Sequence, residues 1–186
     1  MRRLTSFTNI TLDGYFSGPD GDFSWAHDGE DEEFNNFVAD NARSGGALLM
    51  GRVTYDLMAS YWPTPFAAQN DPVVAERMNA MPKLVASRSI EQPEWQNTRI
   101  LRGELVAEIA ALKQEEGDDI AILGSGSIIK QLAEAQLIDE YQLVINPVVL
   151  GDGRTPFEGL RARADMKLCN SRIFSSGKVF LSYAVR

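Results

Sequence analysis

The chain has 186 residues, 44% of them apolar and 24% charged, with a net charge of −8; this is the profile of one soluble globular domain, spanning 1–186, that can bury a sizeable core. Such acidity argues against a nucleic-acid partner, since phosphate neutralisation supplies most of that affinity, and no apolar run approaches a membrane span. A single cysteine, Cys169, and a single histidine, His27, exclude an internal disulfide, a four-ligand zinc site and the His-dependent triads.

The start, MRRLTSFTNITLDG, has no apolar segment behind its arginines, so it is not a secretory signal, and the cytoplasm is the default location. Leu4 to Ile10 reads as a first strand. The segment from Ser17 to Asp22, SGPDGD, is a turn-rich loop, and Trp25 follows it. A helix is expected from about Asp31 to Arg43, with Phe34, Phe37 and Val38 on its apolar side, stopped by Gly45-Gly46. Its leading acids read as a solvated start that complements the helix dipole. Ala47 to Met50 is a buried strand, and Gly51-Arg52-Val53-Thr54-Tyr55 turns from it into a short helix. Trp62 to Phe66, with two prolines, reads as an irregular loop, and Pro72 to Met81 as a helix with proline at its first position. Lys83 to Ser87 and Thr98 to Leu101 are short strands. Leu105, Val106, Ile109 and Leu112 mark a helix that Gly117 stops.

Ile120 to Leu123, Gly124-Ser125-Gly126-Ser127, the helical spacing of Ile128, Ile129 and Leu132, and the apolar run Tyr141 to Ile145 together form a βαβ unit. Its turn places backbone N–H groups and a helix N-terminus at a strand's carboxyl end, where anions bind in open α/β sheets. The tail, from Met166 to Phe174 and from Val179 to Val185, is an antiparallel hairpin. Val179, Leu181, Tyr183 and Val185 alternate with their neighbours and mark a buried face. An exposed edge and a flat apolar surface on this hairpin favour a homodimer. The fold class is therefore α/β: a mostly parallel twisted sheet, helices on both faces, and a terminal antiparallel hairpin.

Three strand ends carry turns with anion-binding potential: Gly51-Arg52-Val53-Thr54, Ser87-Arg88-Ser89 and Gly124-Ser125-Gly126-Ser127. On one parallel sheet they would line up along one edge and hold an extended anionic ligand, with Arg52 and Arg88 supplying charge. Each turn taken alone reads better as a strand ending on small residues than as a binding turn. The third glycine of G-x-G-x-x-G is absent, because Ile129 stands there, and no G-K-[ST] is present, so neither a Rossmann fingerprint nor a P-loop applies.

Taken together, these motifs resemble the dihydrofolate-reductase-like superfamily. Met50-Gly51-Arg52-Val53-Thr54-Tyr55 looks like its M-G-R-x-T-[YW] signature, and Ser87-Arg88-Ser89 and Ile122 to Ser127 match the next strand ends in family order. Leu12-Asp13-Gly14-Tyr15 with Ser17-Gly18, and Asn146 to Phe157, resemble the branch typified by the reductase domain of the bifunctional riboflavin-biosynthesis deaminase-reductase. The resemblance implies a three-layer sandwich and an NADPH site. Gly51, Arg52 and Thr54 would hold phosphates, Ser87 and Arg88 the adenosine 2′-phosphate, and Leu123, Gly124, Ser125, Gly126, Ser127 and Ile128 the pyrophosphate and nicotinamide, with Ile10 and Gly18 beside the ring. It also implies a cis peptide between Gly124 and Ser125. Trp25 matches the family tryptophan near the substrate, and a buried aromatic anchor is its equal alternative. The place of the folate-reductase carboxylate falls at about Asn35, an amide, which argues against folate reduction. Asp28 and Glu32 are the carboxylates that would face the nicotinamide edge, while His27 reads as a surface residue. One cysteine cannot build the zinc site of the deaminase half.

The expected function is NADPH-dependent hydride transfer to a carbonyl or imine of a small molecule, similar to 5-amino-6-(5-phosphoribosylamino)uracil reduction. The alternatives are pteridine reduction of the dihydrofolate-reductase type and a nucleotide-binding relic without turnover.

Overall fold

The computed structural model describes residues 1–26, 31–43, 46–161 and 163–186, and of 42 and 43 the backbone alone. Its strands are β1 (Leu4–Thr11), β2 (Ala47–Gly51), β3 (Lys83–Ala86), β4 (Thr98–Leu101), β5 (Ile120–Leu123), β6 (Glu140–Asn146), β7 (Met166–Ile173) and β8 (Val179–Val185). They form one sheet in the order β4-β3-β2-β5-β1-β6-β8-β7. The first six strands run parallel, and β8 and β7 close the sheet antiparallel.

The helices are α1 (Glu32–Arg43), α2 (Arg52–Tyr61), α3 (Pro65–Asn70), α4 (Pro72–Ala80), α5 (Leu105–Gln114) and α6 (Gly126–Glu134). Side-chain alternation along the apolar strands sends each set to a different layer. Leu4, Leu49, Ile120 and Ile122 pack with Leu105, Ile109 and Leu112 of α5 and Ile128, Ile129 and Leu132 of α6. Leu48, Met50 and Val85 face the other way, toward Tyr55 of α2, Met78 of α4 and Trp95. Unbroken apolar strands are what a sheet covered on both faces requires.

Lys83 is buried on the α4 side, donating to Met78 O at 2.8 Å and Asn79 O at 3.0 Å. It thus closes the carbonyl end of α4, with its Nζ 4.4 Å from the Trp95 ring centre. Burial pushes this ammonium down to about 8.

Three expectations change. The segment read as an irregular loop contains the start of α3, because Thr64 accepts a hydrogen bond from Ala67 N–H at 3.2 Å and Pro65 takes the first helical position. A capping threonine followed by proline starts a helix as readily as it breaks one.

The acids leading α1 are not all solvated. Asp31 is 6% exposed, accepts from Phe34 N–H at 2.9 Å and pairs with Lys178 at 3.1 Å. Glu33 pairs with Arg172 at 3.0 Å. Gly45, expected to help end this helix, lies outside the described residues.

On β8 the buried residues are Phe180 and Ser182, not Val179, Leu181, Tyr183 and Val185. The physical reason is α1. Its Phe34 and Phe37 pack with Val144, Phe174 and Phe180, with the Phe37 and Phe180 rings 4.8 Å apart. That packing draws this face of the hairpin inward and leaves the aliphatic face half exposed.

Candidate functional site

The strand order sets β3, β2 and β5 side by side, so Ala86, Gly51 and Leu123 end on one edge and their three turns are neighbours. A topological switch lies next to them. β1 connects through α1 to β2 on one side, and β5 connects through α6 to β6 on the other. In open α/β sheets ligands bind outside such a point.

The turns are tied together through one hydroxyl. Ser125 Oγ accepts from Gly51 N–H at 2.8 Å and shares a hydrogen with Thr54 Oγ1 at 2.8 Å. Gly124 (φ +50) and Ser125 (φ +59) are consecutive left-handed residues. No described peptide bond is cis, which corrects the cis Gly124–Ser125 bond that the resemblance implied. The left-handed pair turns the chain sharply by itself. For a serine that conformation costs on the order of 1–2 kcal/mol, and its two hydrogen bonds offset part of this.

A cleft of about 730 Å³ opens over these turns and is lined by Gly51, Arg52, Thr54, Ser87, Arg88, Ser125, Gly126, Ser127 and Ile128. Ile10, Gly18, Leu123 and Gly124 do not line it. Ile10 pairs with Ile145 in the sheet, Gly18 N–H closes a turn on Asp22 O at 2.7 Å, Leu123 joins the Met50–Val85 layer, and a Cβ on Gly124 would meet Thr54 Oγ1 at 3.8 Å.

The structure adds lining residues that were not singled out from sequence, chiefly Phe16, Glu104, Lys130, Arg154 and Glu158. Arg154 arrives through the loop after β6, whose Arg154 N–H donates to Ser17 O at 2.9 Å while Phe16 N–H donates to Arg154 O at 2.9 Å. Asp13 holds that loop by accepting from Thr11 Oγ1 at 2.6 Å and from Gly151 N–H at 2.8 Å. The Thr11 bond, helped by the backbone donors, holds its carboxyl below the usual range. Phe16 lies so close to Gly126 that a Cβ there would meet its ring at 2.5 Å, so a larger residue would have to displace the ring. Lys130 was legible in principle, since it follows Ser127 at helical spacing.

Arg52, Arg88, Lys130 and Arg154 line the cleft against two carboxylates, Glu104 and Glu158. A chain of net charge −8 thus concentrates cations at one edge. There the first N–H groups of α6 also have no helical acceptor.

On the α1 side, Trp25 is half-buried, and its indole N–H is buried without an acceptor among the described residues. Glu32 is exposed and Asn35 half-buried at the start of α1, with Asn35 N–H on Asp31 O at 2.9 Å. Asp28, with His27 and Glu30, lies outside the described residues. Burial pushes the Asp31 carboxyl up, but the Ser176 hydroxyl, Phe34 N–H and the Lys178 ammonium outweigh it and leave its pKa below the ordinary value. The Ser175 N–H and then Arg172 lower that of Glu33.

The model of the RibD C-terminal domain family matches residues 2–180. The chain is 32% identical over 183 residues to the uncharacterized protein YyaP of Bacillus subtilis (strain 168), covering 98% of this chain and 94% of that protein. To YwjB of the same organism it is 25% identical over 173 residues, covering 93% and 92%. A Shewanella sp. PV-4 protein named for riboflavin biosynthesis superposes with a TM-score of 0.76 at 21% identity over 99% of both chains. The Thermotoga maritima diaminohydroxyphosphoribosylaminopyrimidine deaminase/5-amino-6-(5-phosphoribosylamino)uracil reductase does so with a TM-score of 0.65 at 14% identity, over all of this chain and 57% of that one. By sequence over nearly its whole length, and by fold, the chain belongs to the RibD C-terminal domain family.

Proposed function

We propose that the cleft is an NADPH site and that the protein is a reductase delivering hydride to a carbonyl or imine carbon of a small substrate. The observation that carries this reading is the cation-rich cleft along three adjacent strand ends of an otherwise acidic chain. The residues suit a dinucleotide phosphate. The hydroxyls of Thr54 and Ser127 can donate beside the α6 N-terminus, and Arg52 and Arg88 supply charge. When bound, NADPH supplies the hydride from its nicotinamide ring. The chain's part is to hold the phosphates at Gly51, Arg52, Thr54 and Ser125 to Ile128, which line the cleft. It would also supply a proton through Glu32 at the start of α1, through Asp28, or through water.

By family, the substrate class is a ribosylamino-pyrimidine or a chemical relative. The indole N–H of Trp25 has no acceptor among the described residues, and Asn35 offers an amide where a pteridine would want a carboxylate. A homodimer through the bare face of the terminal hairpin belongs to the same reading.

The test follows NADPH absorbance with a panel of ribosylamino-pyrimidines, pteridines and small carbonyls, beside tryptophan fluorescence and melting temperature with NADPH alone. Oxidation with a pyrimidine, slowed at least tenfold in Glu32→Gln or Asp28→Asn, is expected. Absence of any quench or thermal shift sinks the reading, and binding without oxidation by any substrate leaves a nucleotide-binding protein without turnover.

A further inference from the structure

β3 and β4 end side by side, Ala86 opposite Leu101, and the residues just beyond them, Ser87, Arg88 and Glu104, line the same end of the cleft. Arg88 and Glu104 form an ion pair of 3.1 Å with side chains 80% and 84% exposed. An exposed pair of this kind adds little to folding, so its place in the wall of an anion cleft bears on ligands rather than on stability.

Glu104 also stands at the N-cap of α5 but makes no capping bond with its side chain. Glu108 reaches back to Gly103 N–H at 3.3 Å instead. The Glu104 carboxylate is therefore not committed to the helix. Among the described residues its side chain pairs with Arg88, the cation that the family resemblance gives to a 2′-phosphate. Ser87 Oγ accepts the N–H groups of Ser89 and Ile90 at 3.2 Å each and lies 3.4 Å from Ser89 Oγ, where either hydroxyl can donate.

We propose that Glu104 sets the cofactor preference of this site, competing with a 2′-phosphate for Arg88 and accepting the hydroxyls of a ribose that lacks one. The inference rests on reading the cleft as a nicotinamide-dinucleotide site. A 2′-phosphate that reaches Arg88 displaces Glu104 and then lies a few ångströms from a like charge. Near a protein surface such repulsion lowers affinity on the order of five- to tenfold. A free 2′-hydroxyl meets no repulsion there and donates to the carboxylate, the use that nucleotide folds make of an acidic residue beside the ribose. Arg88 and Glu104 thus pull in opposite directions, and the site admits both cofactors with a modest preference.

The experiment is calorimetric titration of the full chain, wild type, Glu104→Gln and Arg88→Gln, with NADPH, NADH, adenosine 2′,5′-bisphosphate and adenosine 5′-monophosphate. In the wild type NADPH and NADH are expected to bind within about tenfold of each other. Glu104→Gln should tighten NADPH and the bisphosphate about five- to tenfold and loosen NADH, while Arg88→Gln should reverse the preference. A ratio of the two cofactors unchanged in Glu104→Gln overturns the proposal, as does equal tightening of every ligand. The expected shift in the bisphosphate together with no NADPH oxidation by any substrate would sustain the role of Glu104 and sink the reductase. No binding of any adenosine ligand would end both.

Discussion

Ser125 is the residue on which the cleft turns most directly. Its hydroxyl joins Gly51 N–H to Thr54 Oγ1 at 2.8 Å each, while its backbone holds a left-handed conformation. Ser125→Ala removes both hydrogen bonds and keeps the backbone cost, a loss of about 1–2 kcal/mol of stability. Ser125→Gly removes the same bonds but relieves the conformation, and after the extra flexibility of glycine in the unfolded chain it should be the more stable variant by about 0.5–1 kcal/mol. Urea denaturation of the two variants checks this, and an alanine variant as stable as the glycine one or better would refute the strain. The serine was legible as part of a small-residue turn. The clasp was not, because its partners lie 74 and 71 residues away.

At the scale of elements, α1 is the lever on the proposed substrate side. It is held by a buried pair, Asp31 with Lys178, whose side chains are 2% and 4% exposed. Lys178→Met leaves a buried carboxylate alone and should lower stability by about 3–5 kcal/mol, whereas Asp31→Asn added to it should recover a substantial part. Additive losses in that double-mutant cycle would show that the pair is not coupled.

The pH dependence follows in sign. Asp31 titrates below its ordinary value when folded, so its stabilisation is full above the unfolded carboxylate range, about 4. It is lost as pH falls through the folded value, and acid unfolding should begin at higher pH in Asp31→Asn. The sequence showed acids at a helix start but not their burial, since the cation that makes burial tolerable lies 147 residues along the chain.

At the scale of the molecule, the hairpin closes the sheet with one face under α1 and the other bare. Ile173 is 77% exposed and Leu168 50%, and Val179 and Leu181 beside them are half-buried. The proposed homodimer would cover this face. Light scattering should give twice the chain mass of 20.6 kDa, and Ile173→Lys should shift it toward one chain without lowering the melting temperature of the isolated chain. A wild-type monomer at high concentration would discard the dimer.

Local composition and order along the chain were enough to determine the parallel α/β sheet, its terminal hairpin and the three small-residue turns at its strand ends. Unbroken apolar runs such as Ile120 to Leu123 are intelligible only when covered on both faces, and small hydroxyl-bearing turns at their ends recur in a fixed sequence. Tertiary structure alone decided which face of β8 is buried, that Asp31 has a buried cation, that Phe16 and Arg154 join the cleft, and that Arg88 meets Glu104. Each of those depends on residues distant in the chain meeting in space. The physics of a single stretch carries its periodicity and its breaks but not the identity of what packs against it.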